Sequence, residues 1–309
     1  MTVWRYTYGW CPRDSYSKHR SKEDIRMMQK SVQEKYFQGV VGLEHAKQAL
    51  LNSVIRPIIR PDLFPLGWSR GILLFGPPGT GKTLLAAAAA KGMDCGFREI
   101  DAASVRSKWV GESEQNVAAI FRAARRKVKA IKSTPEILFI DEVDGLFQSS
   151  ESDCNTGMKN QFLKEMDGLQ DKDKNLPLYL IGTTNKPWNI DHGFIRRFQK
   201  RILVPLPNNK ERREILELYL SKLNPDNLLD INSLSLKLEG YSGSDIRDIC
   251  QAVHIQTVDK LFNTSHSPTG YPEPVTFKDF EDILHQRKPS VSSDYLQQCS
   301  TWAEKYSAL

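Results

Sequence analysis

The chain lacks any hydrophobic run approaching the roughly 18 apolar residues of a membrane-spanning helix, and its N-terminus is polar and aromatic instead of charged and then apolar like a secretion signal. A cytosolic protein is implied. It is also poor in cysteine: Cys11, Cys95, Cys154, Cys250 and Cys299 are odd in number and scattered, with no Cys-x-x-Cys spacing. Neither a disulfide framework nor a zinc site is indicated, and the five read as reduced thiols. Strong charge is missing as well. The formal net charge of +6, from 43 basic and 37 acidic residues, is too small to demand a nucleic acid partner. Internal repeats are absent, and the one simple tract, Ala86 to Ala90, reads as a helix packed close to a sheet.

What remains is an ordinary globular composition, 309 residues with 40% hydrophobic, enough for one large or two ordinary domains. Residues 1 to 38 carry one short helical candidate, Lys22 to Gln33, and too little apolar periodicity for a domain, so they read as an arm or linker. From there Leu43, Ala46, Ala49, Leu50 and Val54 fall on one helix face, followed by a link punctuated by Pro57, Pro61 and Pro65. Strand candidates Gly71–Phe75, Gly96–Ile100, Glu136–Ile140, Leu178–Gly182 and Arg201–Pro205 then alternate with helices. This alternation predicts an α/β fold with a doubly wound parallel sheet over residues 39–206, its ligand lying at the carboxyl ends of the strands. Residues 207–309 read as a small all-helical lid domain, with helices over 210–223, 231–238, 244–262 and 276–286, a capping box from Thr276 and Asp279, and a last helix over 293–305. In that last helix Tyr295, Cys299, Trp302 and Tyr306 form one stripe able to dock on the body.

The decisive motif is Gly76-Pro77-Pro78-Gly79-Thr80-Gly81-Lys82-Thr83-Leu84 between an apolar strand and an Ala-rich helix. Glycines let backbone N–H groups approach phosphates and the helix dipole favours their charge. Lys82 reaches the β/γ oxygens, and Thr83 offers a hydroxyl to Mg²⁺. An ATP site is implied. Ile137-Leu138-Phe139-Ile140 ends in Asp141-Glu142, where Asp141 suits the Mg²⁺ shell and Glu142 suits polarising an attacking water. Asp144 is ambiguous between such a role and capping the next turn. Asn185, closing a second apolar strand, has the amide to orient water or sense the γ-phosphate, or is a turn asparagine. Arg196 and Arg197 lie too far along to turn back onto their own nucleotide. They suit insertion into a neighbouring subunit's site as arginine fingers, the plain alternative being a solvated basic cluster with Lys200 and Arg201.

These residues resemble the AAA ATPases, and within them the meiotic clade of katanin, spastin and the ATPases that disassemble ESCRT-III, including the archaeal cell-division ATPases. The likeness runs from about Gly39 to the C-terminus through Val41-Gly42-Leu43-Glu44, Ser107 to Glu114, Asn160 to Gly168, Asn185-Lys186-Pro187-Trp188, Gly240 to Ile246 and Arg287-Lys288-Pro289-Ser290-Val291. The resemblance implies a homo-oligomeric ring, usually a hexamer, with ATP at subunit interfaces and substrate drawn through the centre. It assigns Lys108, Trp109 and Val110 to a first pore loop and residues 149–158 to a second. It sets Val41 and Gly42 on one wall of the base pocket, with Gly243 and Ser244 on the other. The chain departs from the family at Gly39, usually acidic, at Thr156-Gly157-Met158, where arginines are common, and in leaving no room for a three-helix substrate-tail module or a β insertion in the lid. The expectation is an ATP-driven remodeller of ESCRT-III-like filaments that meets membranes only through its substrate. A severing enzyme or general unfoldase, and a nucleotide-gated scaffold with little turnover, are the alternatives.

Overall fold

In a computed structural model, the structure describes residues 35–101, 105, 112–130, 134–148, 156–171, 176–264 and 270–307. Its centre is a five-stranded parallel sheet, β1 (Gly71–Phe75), β2 (Gly96–Glu99), β3 (Glu136–Ile140), β4 (Leu178–Thr184) and β5 (Lys200–Leu203), in the order β2-β3-β4-β1-β5. β1, β3 and β4 are mostly apolar and buried along their whole length, as strands covered on both faces must be. Successive side chains alternate between the two faces. Leu73 and Phe75 of β1 enter a core with the helices Glu112–Ala130 and Thr156–Asp171, while Ile72 and Leu74 enter the opposite core. That second core holds Leu85, Ala86, Ala89 and Ala90 of the helix Lys82–Gly92, where small side chains bring helix and sheet together.

The first helix begins at Glu44–Leu50 and continues through a π-helical segment, Leu51–Ile55, into Arg56–Ile59. A wider turn of that kind was not legible in the apolar spacing. β4 extends two residues beyond the expected end at Gly182. Thr183 and Thr184, polar at the strand end, are both buried and their hydroxyls find carboxylate partners.

The helices Asn209–Leu220, Ile231–Lys237, Gly243–Thr264 and Phe277–Gln286 enclose a separate core around Leu216, Leu234, Ile249 and Phe280. The expected capping box of Thr276 and Asp279 is present, and a second is formed by Asn208 and Glu211. The last helix, Ser293–Tyr306, grouped on sequence with the lid and given a stripe able to dock on the body, buries that stripe in the sheet's core, Trp302 meeting Phe75 edge-on at 4.6 Å. Among the described residues no helix is long and apolar enough to cross a membrane.

Candidate functional site

Register brings the chemistry together. Phe75 lies beside Thr184 and Ile140 beside Gly182, so the glycine loop, Asp141 and Asn185 leave the sheet at the neighbouring carboxyl ends of β1, β3 and β4. A cleft of about 500 Å³ opens there. Gly79, Thr80, Gly81, Lys82, Thr83, Leu84, Asp141, Glu142 and Asn185 line its sheet side, Val41 and Leu43 one end, and Ile215, Tyr219, Gly243, Ser244 and Arg247 its helical side.

The loop's shape depends on glycine. At Gly76, with φ 145°, a Cβ would sit 2.2 Å from the Val204 carbonyl oxygen. At Gly79, with φ 72°, it would meet Ser242 Oγ at 2.5 Å, because the helical unit closes directly onto the loop. The Ser244 N–H donates to the Gly79 carbonyl at 3.1 Å.

Lys82 is buried, its ammonium donating to the carbonyls of Gly76 (3.0 Å) and Pro77 (2.7 Å). Burial pushes its pKa down to about 8, with Asp141 acting in the opposite direction. Thr83 Oγ1 donates to Asp141 Oδ2 at 2.9 Å, while Thr183 and the Glu142 N–H donate to the other Asp141 oxygen. The carboxylate is thus aimed by groups on three segments. Glu142 has φ 49° and ψ 53°, a left-handed conformation costing about 1–2 kcal/mol in a non-glycine residue, and this turn separates the adjacent carboxylates. Asp144 accepts from Thr184 Oγ1 at 2.6 Å, a contact with the end of β4.

The family model described as "ATPase family associated with various cellular activities (AAA)" matches residues 72–206, and one described as "Vps4 C terminal oligomerisation domain" matches residues 265–306. Cell division protein C of Sulfolobus acidocaldarius is 50% identical over 275 residues, covering 88% of this chain and 72% of that protein. The chain belongs to the AAA ATPase family. A spastin of Naegleria gruberi is 37% identical over 86% of this chain, which spans 52% of that longer protein. Among solved structures, the AAA domain of FIGL-1 in complex with ADP superposes with a TM-score of 0.75 at 30% identity, covering 95% of this chain and all of that one. This AAA ATPase is therefore a nucleotide-hydrolysing enzyme with the α/β fold expected from its strand pattern.

Not every expected residue reaches the cleft of the ATPase. Pro78 is exposed on the loop, and Gly42 does not line the cleft, a Cβ there meeting the Glu211 side chain at 2.5 Å. Arg196 and Arg197 end the helix His192–Arg197 and do not line their own chain's cleft. Arg196 is exposed, whereas Arg197 is gripped by Asp167 at 2.9 and 3.0 Å and donates to the Gly193 carbonyl. Lys108, Trp109 and Val110 lie outside the described residues, as does 149–155 of the second pore-loop segment; Thr156, Gly157 and Met158 open a helix.

Three contributors were missed on sequence. Glu211 accepts from the Leu43 N–H (2.7 Å) and the Asn208 N–H (2.9 Å), linking the end wall to the first helix of the helical unit. Its signal, Asn208 with Glu211 three residues on, was readable as a capping box. Tyr219 and Arg247 gave no signal, because their place on the cleft follows from how the helical unit sits on the sheet.

Proposed function

We propose that this ATPase works as a homo-oligomeric ring, a hexamer by family resemblance, in which each hydrolysis site is completed by Arg196 and Arg197 of the adjoining subunit. The observation that carries the reading is the placement of both arginines away from their own cleft, one fixed by Asp167 and the other exposed at the helix end. The match to an oligomerisation-domain model supports assembly. A finger of this type contributes about 10³–10⁵ in rate.

Within the site, Lys82 leaves the loop carbonyls for the β/γ-phosphates, and the loop N–H groups bind the rest of the anion. Thr83 and Asp141 would hold Mg²⁺: a hydroxyl and a carboxylate 2.9 Å apart in the cleft fit a hard cation that takes few protein ligands beside phosphate oxygens. The ion supplies neutralisation of phosphate charge. Glu142 takes the proton of the attacking water, Asn185 orients that water or senses the γ-phosphate, and Val41, Gly243 and Ser244 flank the base and ribose. Lys108, Trp109 and Val110 grip an extended polypeptide in the pore.

The substrate reading is disassembly of ESCRT-III-like filaments in the cytoplasm, during membrane remodelling or cell division. The similarity to cell division protein C supports it. Similarity to spastin supports a second reading, a severing-type remodeller acting on a different polymer.

Mixing two inactive variants tests the shared site. Lys82→Ala removes phosphate binding from one subunit, and the double substitution Arg196→Ala/Arg197→Ala removes its fingers. An equimolar mixture is expected to regain ATPase activity at interfaces pairing an intact loop with intact arginines. A mixture as idle as its components, or an arginine variant with full turnover, counts against the reading. Stimulation of wild-type turnover by ESCRT-III-like filaments but not microtubules separates the two substrate classes.

A further inference from the structure

The C-terminal helix Ser293–Tyr306 reaches the nucleotide site from below. Trp302 stands edge-on to Phe75, the residue just before the glycine loop, and the Arg201 guanidinium donates to the Tyr306 carbonyl at the helix end. One turn from its start, Tyr295 packs edge-on against Trp188 at 5.3 Å and sends its hydroxyl to the backbone carbonyls of Asn185 and Gly76, the latter at 3.3 Å. The first of these carbonyls belongs to the residue assigned to the γ-phosphate and the second opens the phosphate loop.

We propose that Tyr295 is a positioning residue for ATP hydrolysis, its hydroxyl fixing the Asn185 backbone against the phosphate loop so that the Asn185 amide stays aimed at the reacting phosphate. The inference rests on the role given to Asn185 above.

Hydrogen-bond accounting favours it. A phenol has one proton to donate, and both its partners are carbonyl acceptors. The Gly76 contact, at 3.3 Å, is long for an O–H···O bond and the Asn185 carbonyl lies closer, so the phenolic proton goes to Asn185. Burial raises the Tyr295 pKa, and the group stays a donor across the working pH range. Asn185 is also where fixing is needed: the β1–β4 pairing ends at Phe75 and Thr184, and the next residue of the chain lies beyond that ladder. A small displacement there is costly, since catalytic groups act only when held close to the reactive geometry.

Tyr295→Phe keeps the ring against Trp188 and deletes the hydroxyl. At saturating ATP the variant is expected to lose about tenfold in kcat, with the KM for ATP within about twofold of wild type and oligomeric state and unfolding midpoint unchanged. In an Asn185→Ala background the same substitution should add almost nothing, because there is no amide left to aim. Unchanged kcat, KM rising in step with the loss, a loss that tracks a lowered unfolding midpoint, or full additivity with Asn185→Ala would each overturn the inference. Wild-type turnover in Asn185→Ala alone would instead remove the role given to Asn185, and this inference with it.

Discussion

On the sheet side of the cleft, Lys82, Thr83 and Asp141 are held by buried backbone and by one another, over a core that includes Phe75 and Trp302. On the helical side, the walls meet through lighter contacts such as the Ser244–Gly79 hydrogen bond and the Glu211 carboxylate on Leu43. The helical unit keeps its own core around Leu216 and Phe280. The difference assigns the two walls different work: groups that need fixed geometry sit in one rigid body, and the part that closes over the nucleotide hangs from contacts worth about 1 kcal/mol each.

The contrast breaks most sharply at Trp302. Trp302→Ala empties a site in the sheet-side core and should cost about 3–5 kcal/mol of stability, read as a lowered midpoint in chemical denaturation. A cost under 1 kcal/mol would mean that the C-terminal helix is an appendage and not part of the rigid wall.

The acidity of Lys82 sharpens the same comparison from within. Burial holds the ammonium at about 8, so below that pH the charge that attracts phosphate is fully present, and as pH rises through 8 it is lost. We expect kcat/KM for ATP to be level below about 8 and to fall by up to about tenfold per pH unit above it. A profile still level at pH 9.5 would place Lys82 in a more polar setting than its carbonyl cage provides.

Glu211 gives the smallest effect and tests the lighter wall. Glu211→Gln weakens the tie to Leu43 and the capping box together, at about 1 kcal/mol, and should raise the KM for ATP a few-fold with kcat little changed. Equal losses in kcat and kcat/KM would show that this wall also sets reacting geometry.

Much of the phosphate-binding side was legible in sequence because its logic is local. Gly76, Gly79 and Gly81 with Lys82 and Thr83 specify a loop and a helix start within a few residues, and the apolar residues leading to Asp141 and toward Asn185 mark strands buried on both faces. The run to Asn185 also carries Thr183 and Thr184, which are buried in spite of their polarity. Their hydroxyls are satisfied by Asp141 and Asp144, partners that no local pattern could name.

By itself, then, the sequence determined an α/β sheet carrying a phosphate loop, a carboxylate pair at one strand end and a capped helical region, since each depends on residues close along the chain. Only the tertiary structure decided that the last helix belongs to the sheet's core, that Arg197 is held by Asp167 outside its own cleft, and that the Tyr295 hydroxyl spans carbonyls 110 and 219 residues away. The reason is that such meetings follow from how whole faces pack, and one amphipathic stripe can satisfy its hydrophobic pattern against more than one surface.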